Sequence, residues 1–272
     1  MAEIDAIKKS KNGPVTLTSL IKDIECIGVK PGMTLLVHSS LSAMGWVCGG
    51  PVTVLRALET VLESNGTLVM PTHSSDLSDP AEWENPPVNQ SWWEIIKNTM
   101  PPYDADLTPT REMGAIPECF RKQRGVKRSC HPQVSFAAWG SCKENIVEGH
   151  SLNNGLGEQS PLARIYDLGG SVLLIGVGYD SNTSLHLAEY RATFPRKVFK
   201  RCGAPISFNG DREWVTFDNL DINEDDFSEI GKAYEESESE FLKGRVGYAE
   251  SILIPQRELV NFAVEWMGNH RM

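Results

Sequence analysis

Histidine and glutamate three residues apart carry the sharpest chemical signal in this 272-residue sequence, within Asn182-Thr183-Ser184-Leu185-His186-Leu187-Ala188-Glu189. Asn182 or Thr183 can cap a helix there, and the i,i+3 spacing then sets His186 and Glu189 on one helix face. An imidazole beside a carboxylate is the arrangement of a general base and the group that orients it. It is equally the arrangement of a partly buried histidine bonded to a neighbouring glutamate for structural reasons. Position favours chemistry, because the segment follows the buried apolar run 171–177, and ligands of open α/β sheets bind beyond the carboxyl ends of the strands. Asp180 in the connecting loop is a candidate substrate-binding carboxylate, and Glu189 a candidate both for orienting His186 and for touching substrate.

A second candidate lies after the apolar run 34–38: His38-Ser39-Ser40-Leu41-Ser42-Ala43-Met44-Gly45-Trp46-Val47-Cys48-Gly49-Gly50-Pro51-Val52. This small, hydroxyl-rich loop feeds a helix whose first-turn amides lack partners, so it can cradle an anion such as a pyrophosphate, or it can be a plain connection. Its glycine spacing matches neither G-x-G-x-x-G nor the P-loop. His38, Ser39, Ser40, Leu41, Gly50, Pro51 and Val52, with Thr72 and His73 after the next strand, form the candidate cofactor-binding set. Of the acidic cluster Asp76, Asp79, Glu82, Glu84, Asp104 and Asp106, Asp76 is the best placed to meet substrate, being close behind that strand. His131, held out of helical conformation by Pro132, reads as structural or as support for the site. Cys130 points away from it in an extended chain, which makes a Cys/His nucleophile improbable in geometry. A metal site would need His38, His73, His131 or Asp180 beside His186, and H-x-x-E is not the H-E-x-x-H of zinc proteases, so no metal is expected.

The elements that must position these groups alternate. Leu17, Leu20, Ile21 and Ile24 recur at helical spacing behind Thr16 or Thr18. The runs 34–38 and 67–70 are strands, and Val54, Leu55, Leu58, Val61 and Leu62 trace one face of a helix between them, opened by Pro51. Unbroken apolar strands are buried on both faces, as in a layered α/β sheet. Later, 205–208 and 213–217 flank Asn209-Gly210-Asp211 as a hairpin, and 245–254 leads into a helix from Pro255 to about Met267, so the sheet is expected to be mixed. Residues 74–110 are irregular and rich in Pro, Trp and acid, with a short helix around 92–96. Trp83, Trp92 and Trp93 need something to pack on, so this insertion reads as an ordered lid or wall. No repeat or linker divides the chain, and one domain over 1–272 is expected.

Composition narrows the function. With 40% apolar and 23% charged residues the chain is globular, and its apolar runs fall short of a membrane helix. Residues 1–13 hold charges of both signs and no apolar stretch, so a cytoplasmic location is expected. Six scattered cysteines without C-x-x-C spacing suit free thiols. A net charge of −10 repels a phosphate backbone and attracts cations, which disfavours nucleic acid and suits a polybasic small molecule.

The dispersed motifs occur in an order that resembles the aminoglycoside 3-N-acetyltransferase family, whose fold is not that of the GNAT acetyltransferases. They are His38-Ser39-Ser40-Leu41 with Gly49-Gly50-Pro51, Met70-Pro71-Thr72, Arg128-Ser129 followed by His131-Pro132 and Ser135, Ser160-Pro161-Leu162, and above all residues 182–189. The resemblance covers nearly the whole chain. It implies acetyl-CoA-dependent transfer to the 3-amino group of a 2-deoxystreptamine aminoglycoside, and hence antibiotic resistance. It further implies His186 as general base, CoA held by the loop 39–52, and no covalent enzyme intermediate. The expected fold is α/β, a three-layer α/β/α arrangement with a mixed, largely parallel central sheet, as monomer or homodimer. Two rival readings stand beside it: a metal-dependent hydrolase using His186, Glu189 and Asp180, and a non-catalytic amine or carbohydrate sensor.

Overall fold

The computed structural model describes residues 2–237 and 239–272; Met1 of the amino-terminal segment lies outside them. The strands are β1 (Thr34–Ser39), β2 (Thr67–Pro71), β3 (Lys127–Arg128), β4 (Phe136–Gly140), β5 (Ser171–Ile175), β6 (Phe199–Phe208), β7 (Asp211–Leu220), β8 (Leu242–Val246) and β9 (Ala249–Pro255). Helices α1 (Ala2–Lys9), α2 (Leu17–Cys26), α3 (Gly50–Leu62), α4 (Trp93–Thr99) and α5 (Ala115–Arg121) precede α6 (Lys143–Val147), α7 (Pro161–Asp167), α8 (Ser184–Arg191), α9 (Phe227–Glu236) and α10 (Gln256–His270).

Among the described residues, seven strands form one sheet in the order β3-β4-β2-β1-β5-β9-β8. Alternate residues feed two separate cores. Leu35 and Val37 of β1 and Leu173 and Ile175 of β5 face α2, α3 and α5. Leu36, Val172 and Leu174 face α7, α8, α9 and α10. This period of two through unbroken apolar strands produces the three layers, and each such side chain contributes about 1.5–3 kcal/mol by burial.

The sheet is mixed, but the expectation that it is largely parallel needs correction. Only β1 with β2 and β1 with β5 pair parallel; β2/β4, β3/β4, β5/β9 and β8/β9 are antiparallel. Helix α3 supplies a crossover long enough for a parallel return, whereas β8 and β9 are joined by Gly247 and Tyr248, which permit only an antiparallel one. The run read as continuous over 245–254 is therefore two strands around that turn, with Gly247 at a φ of +60°. The hairpin also departs from expectation in place. Strands β6 and β7 pair only with each other, as a two-stranded sheet outside the central one. Asn209 and Gly210 both take positive φ, 52° and 89°, which matches the twist of a two-residue turn.

Residues 74–110 hold two short 3-10 turns and α4. They are tied down at both ends: the Ser74 amide donates to Gln133 O at 2.8 Å and Ser74 Oγ to Pro132 O at 2.7 Å, while Tyr103 Oη donates to Ser129 O at 2.8 Å and Arg212 Nε of β7 to Met100 O at 2.7 Å. No described helix is long and apolar enough to cross a membrane.

Candidate functional site

Strand β1 lies between β2 and β5, and the chain leaves it first toward one side and later toward the other. The crevice beyond the carboxyl ends of these strands is thus a topological switch point, where α/β folds bind ligands. Three cavities meet there. A central chamber of about 380 Å³ is lined by His38, Ser39, His73, Asp180, Thr183 and His186. A groove of about 540 Å³ opens from it along Ser39–Ser42, Gly45–Val47 and Gly50, with Gly114–Ile116 opposite. A side cavity of about 350 Å³ lies between the insertion, through Ser75, Ser78 and Glu82, and the β6/β7 hairpin, through Lys200, Cys202 and Asn219. Glu112 and Met113 line all three.

Helix α8 carries the base candidate. Asn182 Oδ1 accepts from the Ser184 amide at 3.1 Å and starts the helix. Leu185, Leu187 and Ala188 bury it in the core on the α7 to α10 side. His186 is thereby 8% exposed, at the chamber wall, and Glu189 is 1% exposed. Glu189 Oε2 lies 2.5 Å from His186 Nδ1. Its other oxygen accepts from the Asn223 amide at 3.0 Å and from Arg271 Nη1 at 2.6 Å. A carboxylate surrounded by donors accepts only, so in a neutral ring the proton sits on Nδ1 and the lone pair is on Nε2, the nitrogen left for the chamber. Both oxygens are engaged, and Glu189 lines none of the three cavities, which departs from its expected contact with substrate.

Among the described residues, His38, His73, His131 and His150 differ from His186 in having no carboxylate partner. Burial, and next the charge of His186, push His38 and His73 down to about 3. Burial likewise lowers His150 to about 4 and His131 well below the usual range. These rings stay neutral near pH 7. His131 is bonded through both nitrogens, Nδ1 accepting from the Gln133 and Val134 amides at 3.1 Å and Nε2 donating to Leu152 O at 3.2 Å. It is structural. Among the described residues, no three His, Cys, Asp or Glu side chains are grouped to hold a metal ion.

Two buried polar atoms at the junctions have no partner: Ser39 Oγ, between groove and chamber, and His73 Nε2, between chamber and side cavity. Burying such a group unpaired costs about 1–3 kcal/mol, and sites shaped for a ligand commonly leave one. The amides of Ser40 and Thr72 are already bonded, to Ile175 O and Ser135 O.

The structure divides the candidate cofactor set. Ser39, Ser40, Leu41 and Gly50 line the groove, whereas His38 and His73 line the chamber. Pro51 and Val52 are on neither wall, because the first turn of α3 directs them outward; Val52 is 53% exposed. Thr72 is fully buried, bonded to Ser135 Oγ and Arg128 Nε, and lines none of the three cavities. Arg128 also donates to Thr72 O and Thr108 O, pinning the turn that carries His73. Asp180 lines the chamber. Asp76 does not line any of these cavities: a turn closed by the Leu77 amide on Ser74 O sends its carboxylate to Arg111 at 3.4 Å on the surface. Glu112 and Glu224, which do line the chamber, were not singled out from sequence. Only the left-handed φ of 59° at Glu112 marks it, and Arg-Glu-Met-Gly has no spacing that reveals such a conformation.

A buried histidine and carboxylate pair where a groove and a second cavity converge defines the class as a two-ligand α/β/α enzyme site. A family model described as aminoglycoside 3-N-acetyltransferase matches residues 36–268. The chain belongs to that family and is an acyltransferase. It is 48% identical to the SPbeta prophage-derived aminoglycoside N(3')-acetyltransferase-like protein YokD of Bacillus subtilis (strain 168), over 97% of this chain and 96% of YokD. It is 35% identical to aminoglycoside N(3)-acetyltransferase VII of Streptomyces paromomycinus, over 98% and 96%. The YokD crystal structure superposes with a TM-score of 0.95 at 46% identity, covering 98% of each chain. AAC-IIIb in binary complex with CoASH gives 0.85 at 30%, covering 95% and 98%. AAC-VIa bound to sisomicin gives 0.86 at 29%, covering 95% of this chain and 99% of that one.

Proposed function

We propose that this chain transfers the acetyl group of acetyl-CoA directly to the 3-amino group of a 2-deoxystreptamine aminoglycoside, with His186 as general base. The observation that carries the reading is the position of the imidazole, at the wall of a chamber open to a groove on one side and to a second cavity on the other. The groove, with its hydroxyl and glycine loop, suits the CoA arm, and the CoASH complex of a relative agrees with a thiol-bearing donor. The orphaned Ser39 hydroxyl fits a thioester carbonyl at the groove's inner end. Glu112, Asp180 and Glu224 give the chamber the negative potential that draws a polyamine.

Acetyl-CoA supplies an activated acyl group with a thiolate leaving group. An ammonium has no lone pair, so the acceptor reacts as the free amine, its extra proton already lost to solvent; as the N–C bond forms, His186 Nε2 takes one of the two remaining protons from that nitrogen. Glu189 holds the tautomer and stabilises the imidazolium. Ser39 Oγ donates to the oxygen on which negative charge develops. As the C–S bond breaks, His186 returns the proton to sulfur. Neutral His73, whose Nε2 has no partner at the chamber wall, exchanges a hydrogen bond with a ligand hydroxyl in this reading.

Thiol release from acetyl-CoA, followed with a disulfide reporter across gentamicin-class and neomycin-class acceptors, tests the proposal. Turnover is expected with the native chain and a loss of at least about 10³-fold with His186→Ala. Absence of turnover on every aminoglycoside refutes it, and full activity of the alanine variant refutes the base.

A further inference from the structure

Arg271 lies 82 residues beyond Glu189 in sequence, past the end of α10, yet its guanidinium reaches the buried pair. The side chain is 14% exposed. Nη1 donates to Glu189 Oε1 at 2.6 Å, Nε and Nη2 fork onto Asp226 at 2.7 and 2.6 Å, and Nη2 also donates to Asn223 O at 2.9 Å. The guanidinium carbon stands 5.2 Å from the Phe194 ring centroid. Every nitrogen is engaged, and two of its partners, Asn223 and Asp226, sit on the segment that also donates the Asn223 amide to Glu189. A guanidinium held this way is a fixed positive charge one carboxylate away from the imidazole.

We infer that Arg271 is a positioning residue of the base: it fixes the carboxylate that orients His186 and offsets that carboxylate's negative charge. The inference rests on the acetyl-transfer reading for its consequence in turnover, but its electrostatic content does not. Without Arg271, the Glu189 charge would act on His186 unopposed and favour the imidazolium, which cannot accept a proton from an amine. The other groups facing the pair are accounted for. His38 and His73 share the chamber with His186 and are neutral; Glu112, Asp180 and Glu224 line it, and the Phe227 ring is 4.9 Å from the imidazole. Around Glu189, Lys197 is held by Tyr190 O and Ala192 O, and Asp226 is already committed to Arg271. Arg271 is the cation in hydrogen-bond contact with Glu189.

The test has two variants of opposite expected sign. Arg271→Met should move the acid limb of the kcat/KM pH profile to higher pH by about one unit, leaving KM for both substrates within about twofold. Asp226→Asn, nearly isosteric and leaving Arg271 less compensated, should move it to lower pH. Acceptor ionisation is common to all the enzymes and cancels in the comparison. The same shifts should appear in the His186 imidazole resonances, titrated by long-range 1H–15N NMR in the free protein, where no turnover is needed. If the native chain acetylates nothing, the functional reading fails while the NMR titration still decides the inference. If both variants fold and titrate as the native chain does, and differ only in Tm, Arg271 is a structural clamp and the inference is overturned. Should Arg271→Met fail to fold, an upward or absent shift in Asp226→Asn overturns it alone.

Discussion

Replacing Glu189 with glutamine should disable the base while changing almost nothing in shape. Glu189 Oε1 receives two donors, the Asn223 amide at 3.0 Å and Arg271 Nη1 at 2.6 Å, and Oε2 receives His186 Nδ1 at 2.5 Å. A side-chain amide has one acceptor oxygen and one donor nitrogen. The oxygen must take the position faced by two donors, because turning the NH2 there would set donor against donor twice. The NH2 then faces Nδ1, which must accept, so the ring proton moves to Nε2. An imidazole bearing its proton toward the chamber cannot take one from an amine. Loss of the orienting carboxylate in an analogous triad costs about 10⁴ in turnover, so a fall of roughly 10³–10⁴ in kcat/KM, about 4–5 kcal/mol, is expected for Glu189→Gln. The loss should persist at high pH, in contrast to the recoverable shift from Arg271→Met. Thiol release over pH 6 to 9 measures the rate, and imidazole 15N shifts report the tautomer. A variant that keeps more than a tenth of native kcat/KM, or that retains the proton on Nδ1, refutes the reasoning.

Two further outcomes follow from the buried groups. Ser39→Ala, which removes the orphaned hydroxyl, should lower kcat by about 10²–10³ with KM for acetyl-CoA within a few-fold; steady-state kinetics retaining kcat within twofold would remove Ser39 from the oxyanion site. Acidification should destabilise the fold. His38, His73, His131 and His150 are all depressed in the native state, to about 3, about 3, well below normal and about 4. The unfolded chain therefore takes up protons that the native chain refuses. Stability is complete above the unfolded imidazole value of about 6.5 and is lost as pH falls toward the native values, on the order of 2 kcal/mol by pH 5 for His150 alone. Urea unfolding midpoints should fall steadily from pH 7 to 5, and a flat series would contradict the buried neutral state.

Much of the site's scaffold was legible because its determinants are local. Unbroken apolar runs of strand length announced β1, β2 and β5, and Gly50-Pro51 announced the start of α3. Asn209-Gly210 specified a turn through positive φ, and the i,i+3 spacing placed His186 beside Glu189 whatever the helix packed against. These signals act within one or two turns of chain, so neighbouring residues suffice to read them.

What tertiary structure decided lies across the chain. The short turn between β8 and β9 made that pair antiparallel, but the direction of β4 against β2 and of β9 against β5 was set by pairing between segments more than sixty residues apart, which apolar runs alone do not encode. Thr72 and Asp76, adjacent to a strand end and plausible by position, were turned away by Arg128, Ser135 and Arg111. Glu112 entered the junction of three cavities through a single left-handed backbone torsion. Arg271 met Glu189 only because α10 packs against α8. Sequence alone determined which side chains have the chemistry and which local elements carry them, through periodicity and capping. Which of those side chains face a shared cavity was set by helix and strand packing, because burial and charge pairing between distant segments arise only when the two cores close on the sheet.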